Sequence, residues 1–335
     1  MSAATTQPIR LALIGAGIFV RDAHAPALNA LGDMYRVVAV CSRSQESAQR
    51  AAALFPYPVE TCTDIPALLA RDDVEAVDIL LPIAHMPAVT EMALRAGKHV
   101  ISEKPIAPDV ETGRRLLAAR GDKVWLVAEN WRYDVAFIRA AELIEAGEIG
   151  TPILCDWALH LNAGPGNKYY ATPWRRDNSY PGGFLLDGGV HHVAALRLVM
   201  GEIASVSTVI TSTRSDMPPA DTLCAALQFA NGAIGSFSVT YAVGAPWDWG
   251  MRVVGTEGAI RVQRTGLEIV AKGETRQFPG AAESVDAELA DFASAIRHGT
   301  PYRGTPEQAL QDVAVIEAML RSAAAGQRVA PVRVA

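Results

Sequence analysis

Leu11-Ala12-Leu13-Ile14-Gly15-Ala16-Gly17-Ile18-Phe19-Val20 is an apolar run that closes on two glycines separated by one residue. Read as a buried strand and a tight turn, it places backbone N–H groups at the start of a helix, where a pyrophosphate binds. Gly15 allows the turn and Gly17 lets the backbone approach the ligand. Val20 stands where a third Gly or Ala is usual, so the helix packs less closely on the strand. Alone, Gly-x-Gly is no more than a turn, and the run after Arg10 also mimics a short signal peptide. The residues downstream decide between these readings.

From residue 9 to about 130 the chain alternates short apolar runs with helix-forming stretches. Ile9–Ile14, Val37–Cys41, Val77–Leu81, His99–Ser102 and Val124–Ala128 read as strands, several apolar at consecutive positions, as expected of parallel strands buried on both faces. Ala25–Leu31, Ser44–Leu54, Ile65–Ala70, Met86–Ala96 and Val110–Ala119 read as the intervening helices. The alternation predicts an α/β fold with a doubly wound parallel sheet of Rossmann type. Beyond about 150 the strand-like runs become consecutive: Ile153–Leu161, Ser205–Thr213, Thr222–Ala230, Ala233–Val243, Trp249–Gly255 and Ala259–Gln263. Asn231-Gly232 is a hairpin turn between two of them. This part predicts a largely antiparallel sheet, and Thr305-Pro306-Glu307-Gln308 opens a final helix. The expected domains are therefore 1–130, binding a dinucleotide, and 131–335, binding substrate and a second copy.

With 335 residues, half of them hydrophobic and a fifth charged, the chain has the composition of a globular protein. A net charge of −6 without a Lys/Arg run excludes a basic nucleic-acid groove. No apolar run approaches the roughly 18 residues of a membrane span. Cys41, Cys62, Cys155 and Cys224 are dispersed and read as reduced core residues of a cytoplasmic protein, with no metal site.

The end of the second strand, Cys41-Ser42-Arg43-Ser44, lacks the acid that usually bonds the ribose 2′-hydroxyl of NAD. Arg43 suits a 2′-phosphate, with Ser42 or Ser44 adding a hydrogen bond, so NADP is expected and NAD less favoured. The plain alternative is a solvated Arg43 and a Ser44 that caps the next helix. In Pro181-Gly182-Gly183-Phe184-Leu185-Leu186-Asp187-Gly188-Gly189-Val190-His191-His192, Asp187 and His191 fall one helical turn apart. That spacing holds an imidazole beside a reacting hydroxyl or carbonyl. Asn130, Arg132, Tyr133, Tyr169, Trp174, Arg175 and Arg176 could line a polar, aromatic pocket suited to sugars, or could equally serve packing and ion pairing.

Gly15-x-Gly17, the Leu81-Pro82 turn with His85 beyond it, Ala96-Gly97-Lys98-His99-Val100 leading to Glu103-Lys104-Pro105, and Gly182-Gly183 followed by Asp187-x-Gly189-x-His191 together resemble the glucose–fructose oxidoreductase/inositol dehydrogenase/MocA family. The resemblance runs from residue 9 to about 325. It implies a Rossmann domain followed by a C-terminal α+β domain on an open, mainly antiparallel sheet, with the active site between them. It further implies Lys104 as catalytic lysine with Pro105 cis, His191 as acid/base and Asp187 as a catalytic residue that orients or binds substrate. Expected cofactor contacts are Gly15, Gly17, Ile18, Phe19, Ser42, Arg43, Pro82, Ile83, His85, Glu103 and Lys104. Expected substrate contacts are Asn130, Arg132, Tyr133, Trp174, Arg175, Asp187 and His191. The family often carries an acid three residues after its His; this chain has Ala194 there, and His192 adjoins His191.

Hydride transfer fits these groups, since an ammonium steadies charge on a substrate oxygen while an imidazole moves its proton. The expected function is an NADP-dependent oxidoreductase acting on a secondary alcohol or ketone of a sugar, polyol or dihydrodiol. A non-catalytic NADP-sensing regulator and an imine or tetrapyrrole reductase are the alternatives on the same scaffold. The resemblance implies a homodimer or homotetramer through the C-terminal sheet. The small-residue face of Ser236, Ser238 and Thr240 is a candidate contact, with solvent as the plain alternative.

Overall fold

A computed structural model describes residues 7–176, 180–281 and 284–334 of the chain. The first sheet is built from β1 (Ile9–Ile14), β2 (Tyr35–Cys41), β3 (Glu60–Cys62), β4 (Ala76–Ile79), β5 (His99–Glu103) and β6 (Trp125–Ala128). Its order is β3-β2-β1-β4-β5-β6 and every pairing is parallel. That order is the one in which two mononucleotide-binding halves meet at the crossover between β1 and β4. The inner strands are buried on both faces, with all four β4 and all four β6 residues enclosed, which is why they read as continuous apolar runs. Helices α1 (Ala25–Ala30), α2 (Gln45–Ala52), α3 (Ile65–Leu69), α4 (Met86–Arg95) and α5 (Val110–Ala119) connect them. Where the sequence predicts a helix from Ala25, helical structure already begins at residue 18, through a π-helical turn over Val20–His24.

The second sheet has nine strands: β7 (Pro152–Asn162), β8 (Ile203–Thr211), β9 (Thr222–Phe229), β10 (Ile234–Thr240), β11 (Ala242–Asp248), β12 (Met251–Gly255), β13 (Gly258–Gln263), β14 (Gly266–Ala271) and β15 (Glu274–Pro279). The order is β15-β14-β13-β12-β7-β10-β9-β8, with β11 paired to β7 off this path. All pairs are antiparallel except β7 with β10, where Trp157 stands beside Phe237. The run predicted as Ala233–Val243 divides at Tyr241 into two strands. Lys272 (φ 55°) and Gly273 (φ 78°) make the left-handed two-residue turn that joins β14 to β15. Helices α6 (Val135–Glu145), α7 (Gly183–Asp187), α8 (Gly189–Met200), α9 (Ser284–His298) and α10 (Pro306–Ala325) complete the chain.

One face of the second sheet is core: Trp157, Phe237, Val239, Leu223 and Ile269 are buried. The other face is open. Across it Val270, Ala259, Val254, Leu154 and Ile234 stand in register as one apolar row, with Val270 49 % and Ile234 58 % exposed.

Contacts divide the chain into two compact units. The first comprises Met1–Ala107, Glu111–Glu129 and Val285–Ala309; the second comprises Pro108–Val110, Asn130–Ser284 and Leu310–Ala335. Where the sequence places a single boundary at 130, the first unit is discontinuous, because α9 packs its apolar face, including Leu289 and Phe292, back into that unit. The four cysteines are free; Cys41 and Cys155 are core residues as expected, whereas Cys62 is half-buried and Cys224 is exposed on β9. Among the described residues no helix is long and apolar enough to cross a membrane.

Candidate active site

In the first unit the turn after β1 requires glycine at one of its two positions and leaves the other open. Gly15 has φ +122°, and a Cβ there would sit 2.3 Å from the carbonyl oxygen of Leu80 at the end of β4. At Gly17 an added Cβ meets nothing within 4 Å and the backbone is not left-handed. Protein packing therefore does not demand glycine at 17, and the space before it suits a ligand lying on the helix start. Ile18 and Phe19 form the first helical residues, and Val20 is enclosed at 1 % exposure in place of the usual small residue.

At the end of β2, Ser44 caps α2 by accepting from the Ser47 N–H, and the Ser42 hydroxyl bonds that of Ser47 at 2.8 Å. Arg43 between them is exposed, with no hydrogen bond or ion pair to any described residue. Ser44 is thus the cap of α2, and Arg43 has no partner among the described residues. Pro82 to His85 form a turn closed by the His85 N–H on the Pro82 carbonyl, with Ile83 buried and His85 exposed ahead of α4. Glu103 ends β5 and Lys104 follows it. The Lys104–Pro105 peptide is cis, and the Lys104 N–H donates to the Glu103 carboxylate at 3.2 Å.

In the second unit Gly182 and Gly183 both have positive φ, and a Cβ on Gly183 would lie 2.1 Å from the Pro218 carbonyl. This tight passage starts α7. Gly188 keeps right-handed helical angles, so α8 follows almost without a break and Asp187 and His191 lie one turn apart, as their spacing predicts. Asp187 is buried and accepts from Arg175 Nε at 2.8 Å. The Arg175 guanidinium lies 4.0 Å over the Trp174 ring and 4.9 Å from that of Tyr169. Arg176 instead faces Tyr170.

His191 is half-exposed and stacks on Trp131 at 5.5 Å with 17° between planes. His192 is 3 % exposed, edge-on to Trp131 and Trp157 and beside Tyr241. The two neighbours thus divide: His191 faces outward and His192 is core. Ala194, in the place of the family's acid, is also buried.

One of the expected substrate contacts, Arg132, is engaged within the second unit. Arg132 is 5 % exposed and its guanidinium meets Asp312 at 2.5 Å; Arg197 takes the other Asp312 oxygen at 2.5 Å. Burial pushes the Asp312 carboxyl up, and the two guanidiniums oppose that. Tyr133 is buried beside it. An enclosed guanidinium with a carboxylate partner is committed to it, so Arg132 serves the packing of the second unit. Asn130 is half-buried and donates to the Ser284 hydroxyl at 3.1 Å.

Three residues that sequence reasoning passed over belong with these. Trp131 lies inside the quoted stretch Asn130–Tyr133 and carries His191 on one ring contact and Phe137 on another. Tyr241 is buried, its hydroxyl has no hydrogen-bond partner among the described residues, and a Cβ on Gly188 would come 2.5 Å from that oxygen. Burial, with the Asp187 charge adding, holds its pKa well above the usual phenol range. His24, on the π-helical turn, is fully enclosed against Asp78.

Residues 9–128 match the family described as "Oxidoreductase family, NAD-binding Rossmann fold", and residues 141–332 match "Oxidoreductase family, C-terminal alpha/beta domain". A dehydrogenase named FPY6 from Fusarium mangiferae is 31 % identical over 94 % of this chain and 97 % of its own. A 1,5-anhydro-D-fructose reductase from Ensifer adhaerens is 29 % identical over 95 % of this chain and 97 % of its own. The crystal structure of an oxidoreductase from Thermotoga maritima superposes with a TM-score of 0.90 at 37 % identity, covering 98 % of this chain and all of that one.

Proposed function

The chain belongs to the glucose–fructose oxidoreductase/inositol dehydrogenase/MocA oxidoreductase family, and from that premise we propose that it transfers a hydride between NADP and a secondary alcohol or ketone of a sugar or polyol. It is an NAD(P)-dependent oxidoreductase; the choice of NADP and of substrate is the proposal. The observation that carries the substrate class is the Asp187–Arg175 pair, 2.8 Å apart and packed against Trp174 and Tyr169, one helical turn from His191. A fixed carboxylate and guanidinium beside aromatic faces bind vicinal hydroxyls by hydrogen bonds and the ring by its apolar face. The anhydrofructose reductase among the relatives supports the same class.

The dinucleotide would be held by the Gly15–Phe19 turn, by Arg43 at its 2′-phosphate, and by Pro82, Ile83, His85, Glu103 and Lys104. When bound it supplies the nicotinamide that accepts or gives the hydride. The chain's own residues do the rest. In oxidation, His191 removes the hydroxyl proton as the C–H bond breaks and the carbon becomes a ketone. Lys104 steadies the negative charge that develops on that oxygen, and Asp187 keeps the substrate in place with Arg175. In reduction the same groups run in reverse. Assembly is proposed through the open face of the second sheet, where the apolar row from Val270 to Ile234 supplies surface for a second copy.

A single-turnover screen of polyols and ketones, following nicotinamide absorbance, tests this. With the substrate so found, Lys104→Met should slow hydride transfer ~10²–10³-fold and His191→Ala ~10²–10⁴-fold. The double variant should be much less impaired than the product of the two. Near-normal transfer in both single variants would remove the catalytic assignment.

A further inference from the structure

The first unit encloses three ionisable groups that this chemistry does not use, His24, Asp78 and Glu288, and they adjoin the Glu103–Lys104 segment that it does use. His24 and Asp78 are 0 % exposed, and His24 Nδ1 meets Asp78 Oδ2 at 2.7 Å. On the other side of the ring, His24 Nε2 faces Glu103 Oε1 at 3.5 Å, an ion-pair distance longer than a formed hydrogen bond. Glu103 spans the boundary: its side chain is 14 % exposed, and its second oxygen accepts the Lys104 N–H. Asp78, His24, Glu103 and Lys104 thus form one line from the middle of β4 to the end of β5. Glu288, also 0 % exposed, faces His24, Asp78, Glu103 and Glu129. Among the described residues no group of three or more His, Cys, Asp or Glu could hold a metal ion, so these groups are not a metal site.

Such a line has to be built deliberately, because burying an imidazole and two carboxyls is costly unless each answers another. The π-helical turn Val20–His24 is what brings the ring to this depth, and turns of this kind recur at functional sites. Phe19 packs on the ring with 5.2 Å between centroids. We propose that His24, anchored by Asp78, is the positioning residue for the Glu103–Lys104 strand end, holding the Glu103 carboxylate so that Lys104 is presented in its working position. Burial drives the His24 pKa down, but Asp78 and Glu103 more than reverse this and raise it well above the usual imidazole value, which favours a charged ring between the two carboxyl groups. Glu288 is pushed up by burial; the His24 charge opposes this, and the acidic neighbours add to it. The proposal rests on Lys104 acting at the substrate oxygen.

Two replacements separate the sides of the ring. Asparagine retains a donor near the Nδ1 position, toward Asp78; glutamine reaches the Nε2 position, toward Glu103. Single-turnover hydride transfer in the cofactor-loaded protein should fall ~10- to 100-fold in His24→Asn, the scale of a misplaced catalytic group. His24→Gln should keep several times more of the rate than His24→Asn, with cofactor affinity within about threefold in both. Glu103→Gln should match His24→Asn, and the double variant should be no slower than either alone. In the unmutated protein, nitrogen-15 spectra should show both His24 nitrogens protonated at pH 8. Equal rates in the Asn and Gln variants, multiplying effects in the double, or a neutral His24 ring would each overturn the proposal. Normal transfer in Lys104→Met would instead sink the catalytic reading, and the His24 spectrum separates the two failures.

Discussion

Replacing Arg43 by Ala isolates one contribution to cofactor choice. The side chain is exposed and makes no hydrogen bond or ion pair with any described residue, so its loss should leave melting unchanged. What remains is its contact with a 2′-phosphate. Charge-assisted hydrogen bonds contribute about 1.5–3 kcal/mol, so NADP affinity should fall about 10- to 160-fold. The Ser42 hydroxyl is already bonded to Ser47, so it compensates little. NAD, which lacks that phosphate, should bind the variant as it binds the unmutated protein. Because the contact is at the surface, the preference for NADP should also shrink as salt rises above about 0.15 M, where the screening length is about 8 Å. Calorimetric titration of both cofactors at two ionic strengths reads all of this. Equal or tighter binding of NAD by the unmutated protein, or an equal loss for both cofactors in Arg43→Ala, would refute the reasoning.

Asp312→Asn leaves Arg132 and Arg197 buried against a neutral amide. It should cost about 3–5 kcal/mol, which for a domain of 150–250 residues lowers Tm by about 6–20 °C; calorimetry showing less than about 2 °C would contradict it. Glu288 has a folded pKa raised by burial, so its contribution is intact below about pH 4.5 and is lost as pH climbs toward the folded value, at about 1.4 kcal/mol per pH unit. Glu288→Gln removes that loss, and its melting advantage over the unmutated protein should therefore grow between pH 5 and 8. Gly15→Ala forces a Cβ to 2.3 Å from the Leu80 oxygen at φ +122°; urea titration should show a loss of about 2 kcal/mol or more, with weakened dinucleotide binding.

The inner strands of the first sheet were legible because they are buried on both faces and therefore apolar throughout, as in Ala76–Ile79 and Trp125–Ala128. Those that escaped lie where that pressure lapses. β3 is the three residues Glu60–Cys62 at a sheet edge, and β15 is the polar edge strand Glu274–Pro279. β11 contains Gly244 and Pro246 and is exposed along most of its length. β14 is a different case: Leu267, Ile269 and Ala271 alternate inward, a signal present in the sequence and not taken up. At the candidate site, Asp187 and His191 could be paired because helical spacing is local. His24 could not, since its partners are 54 residues away at Asp78 and further still at Glu103, and only the sheet order unites them. Arg132 shows the converse. Its residue type and place suggested a ligand, but its partner Asp312 lies 180 residues on.

The discontinuity of the first unit bears on how the chain is made. Tyr35 on β2 donates to the carbonyl of Leu289 at 2.5 Å, and the Val127 N–H at the end of β6 donates to Gly304 at 2.8 Å. Glu288 from the same returning segment sits among His24, Asp78 and Glu103. A ribosome reads residues 1–129 long before it reaches these partners. At about 5–20 residues per second, the nucleotide-binding sheet waits some ten to thirty seconds for its last helix while the whole second sheet emerges. During that interval the surface destined for Leu289 and Phe292 is uncovered. A nascent chain stalled before residue 285 should therefore be held by chaperones and cut by protease within its first 130 residues, whereas one released past residue 309 should resist.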